Sequence, residues 1–297
     1  METSGSIPQP VRISSQMSRL SIRVQPLRLG SDDEPSVTAT GFLWSEAGQL
    51  FLVTNLHNVT GWDYGRSRAI SATGMTPDAL KLHLEVIVNV HGDINETTTW
   101  LLTYPILDED GRPGWLWHPT FRERVDVAVL PLGPAPFDEA LGNMDPPAAL
   151  ATVPVNEHPD WVDFDVDAGD DAFVLGYPHG LNGGGGLPIW KRASLASEPD
   201  FDLDGLPKLL IDTATRAGMS GSPVVAVRRG FIQARSGSID DSLIGQADRF
   251  LGVYSGRLGD DPMGLQLGIV WKARVISEII AGGRTGRLPW DERTDQT

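Results

Sequence analysis

Residues 80–90 read LKLHLEVIVNV, and an apolar residue stands at every second position of this stretch. In a β-strand, alternate side chains point to the same face, whereas a helix would scatter these apolar residues around its circumference. The stretch therefore predicts a strand with one buried face and points to a β-rich fold. Similar strand signals recur at 20–24, 37–44, 50–54, 99–103 and 126–130, and then at 172–175, 190–197, 209–213, 224–227, 250–255 and 267–271.

The strand signals fall into two runs, which are separated by a proline-rich segment between Pro131 and Pro154. Two such runs predict an all-β fold of two tandem antiparallel β-barrels. Only residues 273–281 have a helical pattern, and the glycine pair that follows predicts its end. We expect five regions: a flexible tail at 1–16, a first barrel at 17–135, a linker at 136–165, a second barrel with the C-terminal helix at 166–283, and a tail at 284–297.

Composition argues against several classes of protein. The 297-residue chain has a formal net charge of −15, and binding to nucleic acid requires a basic face. No apolar run approaches the roughly 20 residues of a membrane-spanning helix, so no membrane partner is expected. The absence of cysteine excludes disulfides, thiol catalysis and cysteine-bound zinc. The histidines lack the spacing of a zinc site, so no metal site is expected either.

The N-terminal residues show no secretion signal. Residues 1–16 are polar, and arginines interrupt the apolar positions of 17–29. Together with the absence of cysteine, this pattern predicts a cytoplasmic protein.

A serine flanked by glycines is the strongest sign of chemistry. Residues 218–223 read GMSGSP and lead directly into the apolar stretch VVAV. Glycines on both sides let the backbone turn sharply and aim successive N–H groups into one small space. Such N–H groups beside a nucleophilic hydroxyl are what the oxyanion of an acyl-transfer reaction needs. An ordinary glycine-rich turn before a strand is the alternative interpretation.

The order of residues along the chain limits the possible catalytic arrangements. All six histidines precede Ser220, so the serine–acid–histidine order of α/β-hydrolases cannot be built around it. His57 follows an apolar strand and is expected in a short polar turn. Asp126 opens the apolar stretch 127–130, where a low dielectric would strengthen a hydrogen bond from an imidazole.

These three segments together resemble the signatures of chymotrypsin-like (trypsin-fold) serine peptidases, especially the bacterial HtrA and glutamyl-endopeptidase branch. Other stretches resemble further parts of that family, namely TGFL at 40–43, GDDAFVLGYP at 169–178, GVYSG at 252–256 and LGIV at 267–270. The similarity extends over residues 37–281. It implies two six-stranded barrels and a serine endopeptidase that needs no metal or organic cofactor.

The resemblance also implies the roles of individual residues. Ser220 would be the nucleophile, His57 the general base, and Asp126 the acid that orients the imidazole. The backbone at Gly218, Met219 and Ser220 would form the oxyanion hole, where the loss of one donor costs on the order of a hundredfold in turnover.

Substrate binding is implied for Ala214, Thr215, Ser255, Gly256 and Arg257. The base of the family's primary pocket falls at Ala214, which supplies no acid to bind Lys or Arg. We therefore expect a small or medium apolar residue before the scissile bond, although Arg257 or Arg216 would instead favour an acidic one. Ser255 also falls where the family has a serine bonded to the catalytic aspartate.

Met219 departs from the digestive trypsins, which have an aspartate there that pairs with a newly cut N-terminus. A thioether cannot accept that charge, so activation by N-terminal cleavage is not expected.

The expected partner is a peptide or protein substrate, and an activating protein partner stays open. The alternatives are a catalytically weak or partner-activated binding or regulatory module, and an esterase on the same scaffold. The four glycines at 183–186 form either a mobile gate or a slack surface loop.

Overall fold

The computed structural model describes residues 15–30, 37–71, 73–89, 95–232, 239, 242–259 and 265–291. The predicted N-terminal tail lies outside these residues except at its end, where a 3-10 turn, Gln16–Arg19, leads into the first strand. Met17 in this turn is buried, so packing begins where the first barrel was predicted to start. Among the described helices, none has the length and apolar character needed to cross a bilayer.

The N-terminal half is built on an antiparallel sheet of seven strands. They are β1 (Ser21–Leu27), β2 (Ala39–Glu46), β3 (Gln49–Thr54), β6 (Ala79–Asn89), β7 (Asn95–Pro105), β8 (Ala128–Gly133) and β9 (Ala148–Leu150), while β4 (Trp62–Asp63) and β5 (Arg68–Ala69) form a separate small hairpin. The sheet order is β7-β6-β1-β2-β3-β8, and β9 pairs with β6. This path has the six strands predicted for the first barrel, and β9 adds a seventh strand beside β6.

The alternating stretch that begins at Leu80 forms most of β6. Leu80, Leu82, Leu84 and Val86 are fully buried, as the period of two predicts. Glu85 is the exception on the other face, because it is also buried, with Arg19 Nε at 3.7 Å from its carboxylate. The cause is the 3-10 turn, which places Arg19 against this face of β6.

The C-terminal half is a closed antiparallel barrel of six strands, which confirms the prediction for this half. Its strands are β10 (Asp171–Gly176), β11 (Ile189–Leu195), β12 (Lys208–Asp212), β13 (Pro223–Ile232), β14 (Leu243–Arg257) and β15 (Leu267–Lys272). They close in the order β10-β11-β12-β15-β14-β13. The strands β13 and β14 pair over 223–232 and 243–253, well beyond the apolar stretches that predicted them.

Three α-helices occur in the described residues: α1 (Leu56–Thr60), α2 (Asp138–Gly142) and α3 (Arg274–Gly282). The predicted C-terminal helix is confirmed as α3, and Gly283 ends it in a left-handed conformation. The helix α1 corrects the expectation that His57 lies in a polar turn. A helix of five residues makes little more than one turn, so its period cannot show in the sequence.

The two segments predicted to lie outside the barrels both contact the N-terminal half. Residues 136–165, predicted as a linker, contain α2 and contribute β9 to the sheet. The start of the predicted C-terminal tail pairs with residues 115–117, since Trp117 N–H donates to the carbonyl of Arg284 and Gly286 N–H donates to that of Trp115.

One hydrophobic cluster joins the two halves. Phe42 and Val53 of the first sheet pack in the same cluster as Val225 and Trp271 of the second barrel. The apolar face of α3 completes it with the buried side chains Val275, Ile276 and Ile279. The cleft between the halves therefore has a floor of shared apolar packing.

We expect Ile276→Ala to lower the free energy of unfolding by about 2–5 kcal/mol, because it opens a cavity in this shared cluster. Ile244→Ala is the control, since Ile244 is 84% exposed and its truncation should cost less than about 0.5 kcal/mol. Urea denaturation followed by tryptophan fluorescence measures both. Equal losses for the two variants would contradict the packing described for α3.

Candidate active site

A cavity of about 860 Å³ lies between the two halves. His57 and Asp126 reach it from the first half, and Ser220 reaches it from the second. The three residues that sequence motifs predicted as a catalytic set therefore face one space, although they are far apart along the chain.

The carboxylate of Asp126 holds His57 at two points. Asp126 Oδ2 lies 2.6 Å from His57 Nδ1, and Asp126 Oδ1 accepts the backbone N–H of His57 at 2.9 Å. The side chain of Asn55 donates to the backbone carbonyl of Asp126 at 2.6 Å and ties the start of α1 to the approach of β8. Both the position and the rotation of the imidazole are fixed by these contacts, with Nε2 as the remaining ring nitrogen.

Ser255 of β14 supplies a further donor to the same carboxylate. Its hydroxyl lies 2.5 Å from Asp126 Oδ2. Because β14 belongs to the second barrel, this hydrogen bond connects the halves directly behind the imidazole.

The environment of His57 favours the imidazolium. Burial opposes the positive charge, but the adjacent carboxylate of Asp126 outweighs burial, with a smaller contribution from Asp63, so the pKa of His57 is raised above 6.5. A base of this kind therefore has a higher affinity for a proton than a free imidazole.

The loop that carries Ser220 is held by groups from the first half. Thr40 of β2 donates its N–H to the carbonyl of Ser220 at 2.8 Å and its hydroxyl to the carbonyl of Gly218 at 2.8 Å. The side chain of Asn58 in α1 donates to the same Ser220 carbonyl at 3.3 Å. On the other side, His179 N–H donates to the carbonyl of Ala217 at 2.7 Å.

The carbonyl groups of this loop are hydrogen-bonded, but two of its N–H groups have no partner among the described residues. Within the described part of the chain, the N–H groups of Gly218 and Ser220 have no acceptor, whereas Met219 N–H donates to the carbonyl of Arg216 at 3.3 Å. Two unpaired N–H groups beside the serine are the donors that an oxyanion would need. Of the three oxyanion-hole residues implied by the sequence, Met219 is thus the one whose N–H is already used.

The side chain of Met219 is buried in the core of the second barrel. It faces Gly176 of β10, where a Cβ would lie 3.2 Å from the methionine sulfur. Apolar packing of Met219 therefore anchors the loop at the position where an aspartate would be needed to form an ion pair.

The residues predicted to bind substrate are only partly brought together. Thr215, Ser255, Gly256 and Arg257 line the cavity, whereas Ala214 does not belong to its lining among the described residues. The hydroxyl of Thr215 is hydrogen-bonded to that of the buried Tyr254. The base of this side of the cavity is thus polar at Thr215 and Tyr254 rather than formed by an alanine methyl group.

The glycine-rich stretch 183–186 lies away from the cavity lining within the described residues. Its backbone closes a tight turn, with Gly183 N–H bound to the carbonyl of Leu187, and a Cβ at Gly186 would lie 3.3 Å from the Thr99 hydroxyl of β7. The gate suggested by the sequence stays a prediction.

Several residues that shape the site were not identified from the sequence. Thr40, Asn55 and Asn58 act through backbone carbonyls, so their chemistry has no motif of its own. Their positions beside recognised segments were the available signal, because Thr40 begins the TGFL stretch and both asparagines flank His57. The described residues include no cluster of acidic and histidine side chains suited to hold a metal ion.

We expect Asp126→Asn to lower the pKa of His57, because the amide keeps the shape of the carboxylate but removes the charge that outweighs burial. Histidine NMR titration measures it, with His57→Gln to assign the resonance. Asp63→Asn is the matched control, and its effect should be in the same direction and smaller. An unchanged pKa in Asp126→Asn would contradict the coupling described here.

We expect Gly221→Ala to destabilise the fold by about 3 kcal/mol or more, the sum of strain at a positive φ and a steric clash. Gly221 has φ +87, and a Cβ there would lie 2.0 Å from the carbonyl oxygen of Thr40. Gly111→Ala is the control, because φ is +72 but no atom lies within 4 Å, so only about 1–2 kcal/mol of strain is expected. Urea denaturation separates the two, and equal costs would contradict the close approach of β2.

Among solved structures, the Rv3671c protease of M. tuberculosis in its active form is 17% identical, with a TM-score of 0.41, covering 95% of this chain and 96% of that one. The inactive serine-to-alanine mutant of Rv3671c is 19% identical, with a TM-score of 0.39, covering 89% of this chain and 86% of that one.

No curated protein matches the sequence of this chain. The family profile described as "Trypsin-like peptidase domain" matches residues 39–232, from β2 through β13. This match covers well over half of the chain, and the protein therefore belongs to the family of trypsin-like peptidase domains.

Proposed function

We propose that this trypsin-like peptidase domain is a serine endopeptidase that hydrolyses peptide bonds through an acyl-enzyme on Ser220. The observation that carries the proposal is the 2.6 Å contact of His57 Nδ1 with Asp126 in the cavity that Ser220 also lines. An imidazole oriented by a carboxylate is the general base that a serine hydroxyl needs in order to act as a nucleophile.

The mechanism uses the remaining ring nitrogen of His57. Ser220 Oγ forms a bond to the carbonyl carbon of the substrate as its proton passes to His57 Nε2, and the electron pair of the C=O bond moves to oxygen. The N–H groups of Gly218 and Ser220 stabilise that oxyanion. Collapse breaks the C–N bond, the imidazolium gives its proton to the leaving amine, and Asp126 stabilises the charged ring meanwhile. Water then repeats these steps on the ester and releases the acid with Ser220 regenerated.

The substrate side of the cavity supports two specificities. In the described part of the second barrel, no acid lines the cavity, which argues against Lys or Arg before the scissile bond and fits the expected preference for small or medium apolar residues. Charge supports the acidic alternative, because the cavity lining carries more basic than acidic side chains: Arg66, Arg68, Arg124, Lys208, Arg216 and Arg257 against Asp63, Glu123 and Asp126. Cleavage-site profiling with a mixed peptide library decides between them, and dominant cleavage after Lys or Arg would contradict both.

The rival proposals have less support. A silent binding module or a partner-activated one was suggested by Met219, but burial of that side chain and the Thr40 contacts give the loop an anchor within the chain. An esterase would use the same chemistry, and cleavage of unfolded protein distinguishes it. Membership of the HtrA and glutamyl-endopeptidase branch and a cytoplasmic location stay predictions from the sequence.

We expect a fluorophosphonate probe to label the protein on Ser220, because an activated serine hydroxyl displaces fluoride from phosphorus. Ser220→Ala should abolish labelling, and His57→Ala should slow it by at least about a thousandfold. Ser45→Ala is the matched serine control and should label like the original chain. Tryptic mass spectrometry locates the adduct. Persistent labelling in Ser220→Ala, or none in the original chain, would overturn the proposed function.

A further inference from the structure

The hairpin of β4 and β5 lies directly after the helix that carries His57. Gly61 ends α1, and its carbonyl accepts the N–H of Ile70 just beyond β5 at 2.8 Å. This hydrogen bond closes the base of the hairpin against α1. Residues of the hairpin, among them Asp63 and Arg66, line the cavity. The hairpin therefore forms one wall of the site, and its position is tied to that of His57.

Arg66 extends from this hairpin to the second barrel. Its own hairpin holds it, because Asp63 accepts the Arg66 N–H at 3.0 Å and Nη1 at 2.8 Å. On the far side, Nη2 donates to the carbonyls of Arg257 at 3.1 Å and of Gly259 at 2.8 Å. The guanidinium thus bridges the two halves across the cavity through main-chain acceptors.

One of these acceptors, the carbonyl of Arg257, belongs to an open strand edge at the end of β14. The pairing of β14 with β13 ends at Val253, whereas its pairing with β15 continues to Arg257. Among the described residues, no strand pairs with the other edge of 255–257, and all three residues line the cavity. An extended peptide binds such an edge by main-chain hydrogen bonds, as an added strand.

We propose that Arg66 is a specificity-determining residue that closes the far end of this edge to extended substrates. The inference rests on the proposed function, because it takes the open edge of β14 as the place where the substrate binds as an added strand. Ser255 lies beside Asp126, and Arg257 lies two residues farther from the catalytic pair. A peptide paired from Ser255 outward meets Arg66 where it needs the carbonyl of Arg257, so it must displace the guanidinium or end before it.

The arrangement suits a displaceable closure. The Arg66 side chain is 31% exposed, and water can replace its hydrogen bonds when it moves away. Peptides that occupy only the first two positions leave Arg66 in place. Longer peptides must break the contacts of Arg66 in order to bind. The site therefore favours substrates in which only a short stretch beside the scissile bond binds as an extended strand.

The test measures binding on the Ser220→Ala background, where no peptide is cleaved. The probes are two fluorescein-labelled random pools, hexapeptides and dipeptides, followed by fluorescence anisotropy. We expect Arg66→Ala to tighten hexapeptide binding about fivefold, the factor that corresponds to one net hydrogen bond, and to leave dipeptide binding unchanged. Asp63→Asn, which loosens Arg66 but keeps it, should give a smaller gain on the hexapeptides.

Arg112→Ala is the matched control, because Arg112 is also a turn arginine paired with aspartates, Asp108 and Asp110, and it lies outside the cavity lining. It should change neither pool. Unchanged or weaker hexapeptide binding in Arg66→Ala, or an equal gain on both pools, would overturn the proposal. The fluorophosphonate experiment tests the peptidase function separately. If the probe does not label the chain but Arg66→Ala still tightens hexapeptide binding selectively, the enzyme proposal is refuted and the role of Arg66 at the strand edge stands.

Discussion

The carboxylate of Asp126 is the contact on which the rest of the site depends. It accepts the backbone and ring N–H of His57 from the first half and the hydroxyl of Ser255 from the second. An ionised carboxylate can accept several donors at once, and the three donors here leave it in a single orientation. The same charge raises the pKa of the imidazole, so one group sets the geometry, the basicity and the docking of the halves.

The serine loop shows the same dependence of one half on the other. Its sharp course comes from its own glycines, but its carbonyls are bound by Thr40 and Asn58 of the first half. Burial of Met219 in the second barrel fixes the loop from beneath. Main-chain contacts and apolar packing thus hold the loop at the position of Met219, where the sequence has a thioether in place of a carboxylate.

The sequence predicted those parts of the molecule whose signal is local. The alternation in β6 and the glycine stop after α3 each act within a few residues, and the structure has both of these elements. The helix α1 was missed because five residues cannot show a helical period. The strand β9 was missed because three residues in a proline-rich stretch are too few to show an alternating pattern, and its pairing with β6 is visible only in the structure.

The candidate site was predicted in outline for a related reason. Motifs predicted His57, Asp126 and Ser220 as a catalytic set, and all three line one cavity. Thr40 and Arg66 bind backbone carbonyls, and any carbonyl would serve, so nothing in their own sequence distinguishes them from surface residues. Ala214 was assigned from family spacing alone, and it lies outside the cavity lining because the chain there presents Thr215 instead.

The shared apolar cluster has a consequence for dividing the chain. The helix α3 follows the last barrel strand, yet Val275, Ile276 and Ile279 cover side chains of the first sheet as well. A fragment that stopped after residue 165 would lose that cover and leave Phe42 and Val53 against solvent. The apolar packing of each half is therefore completed by the other, despite the proline-rich connection between them.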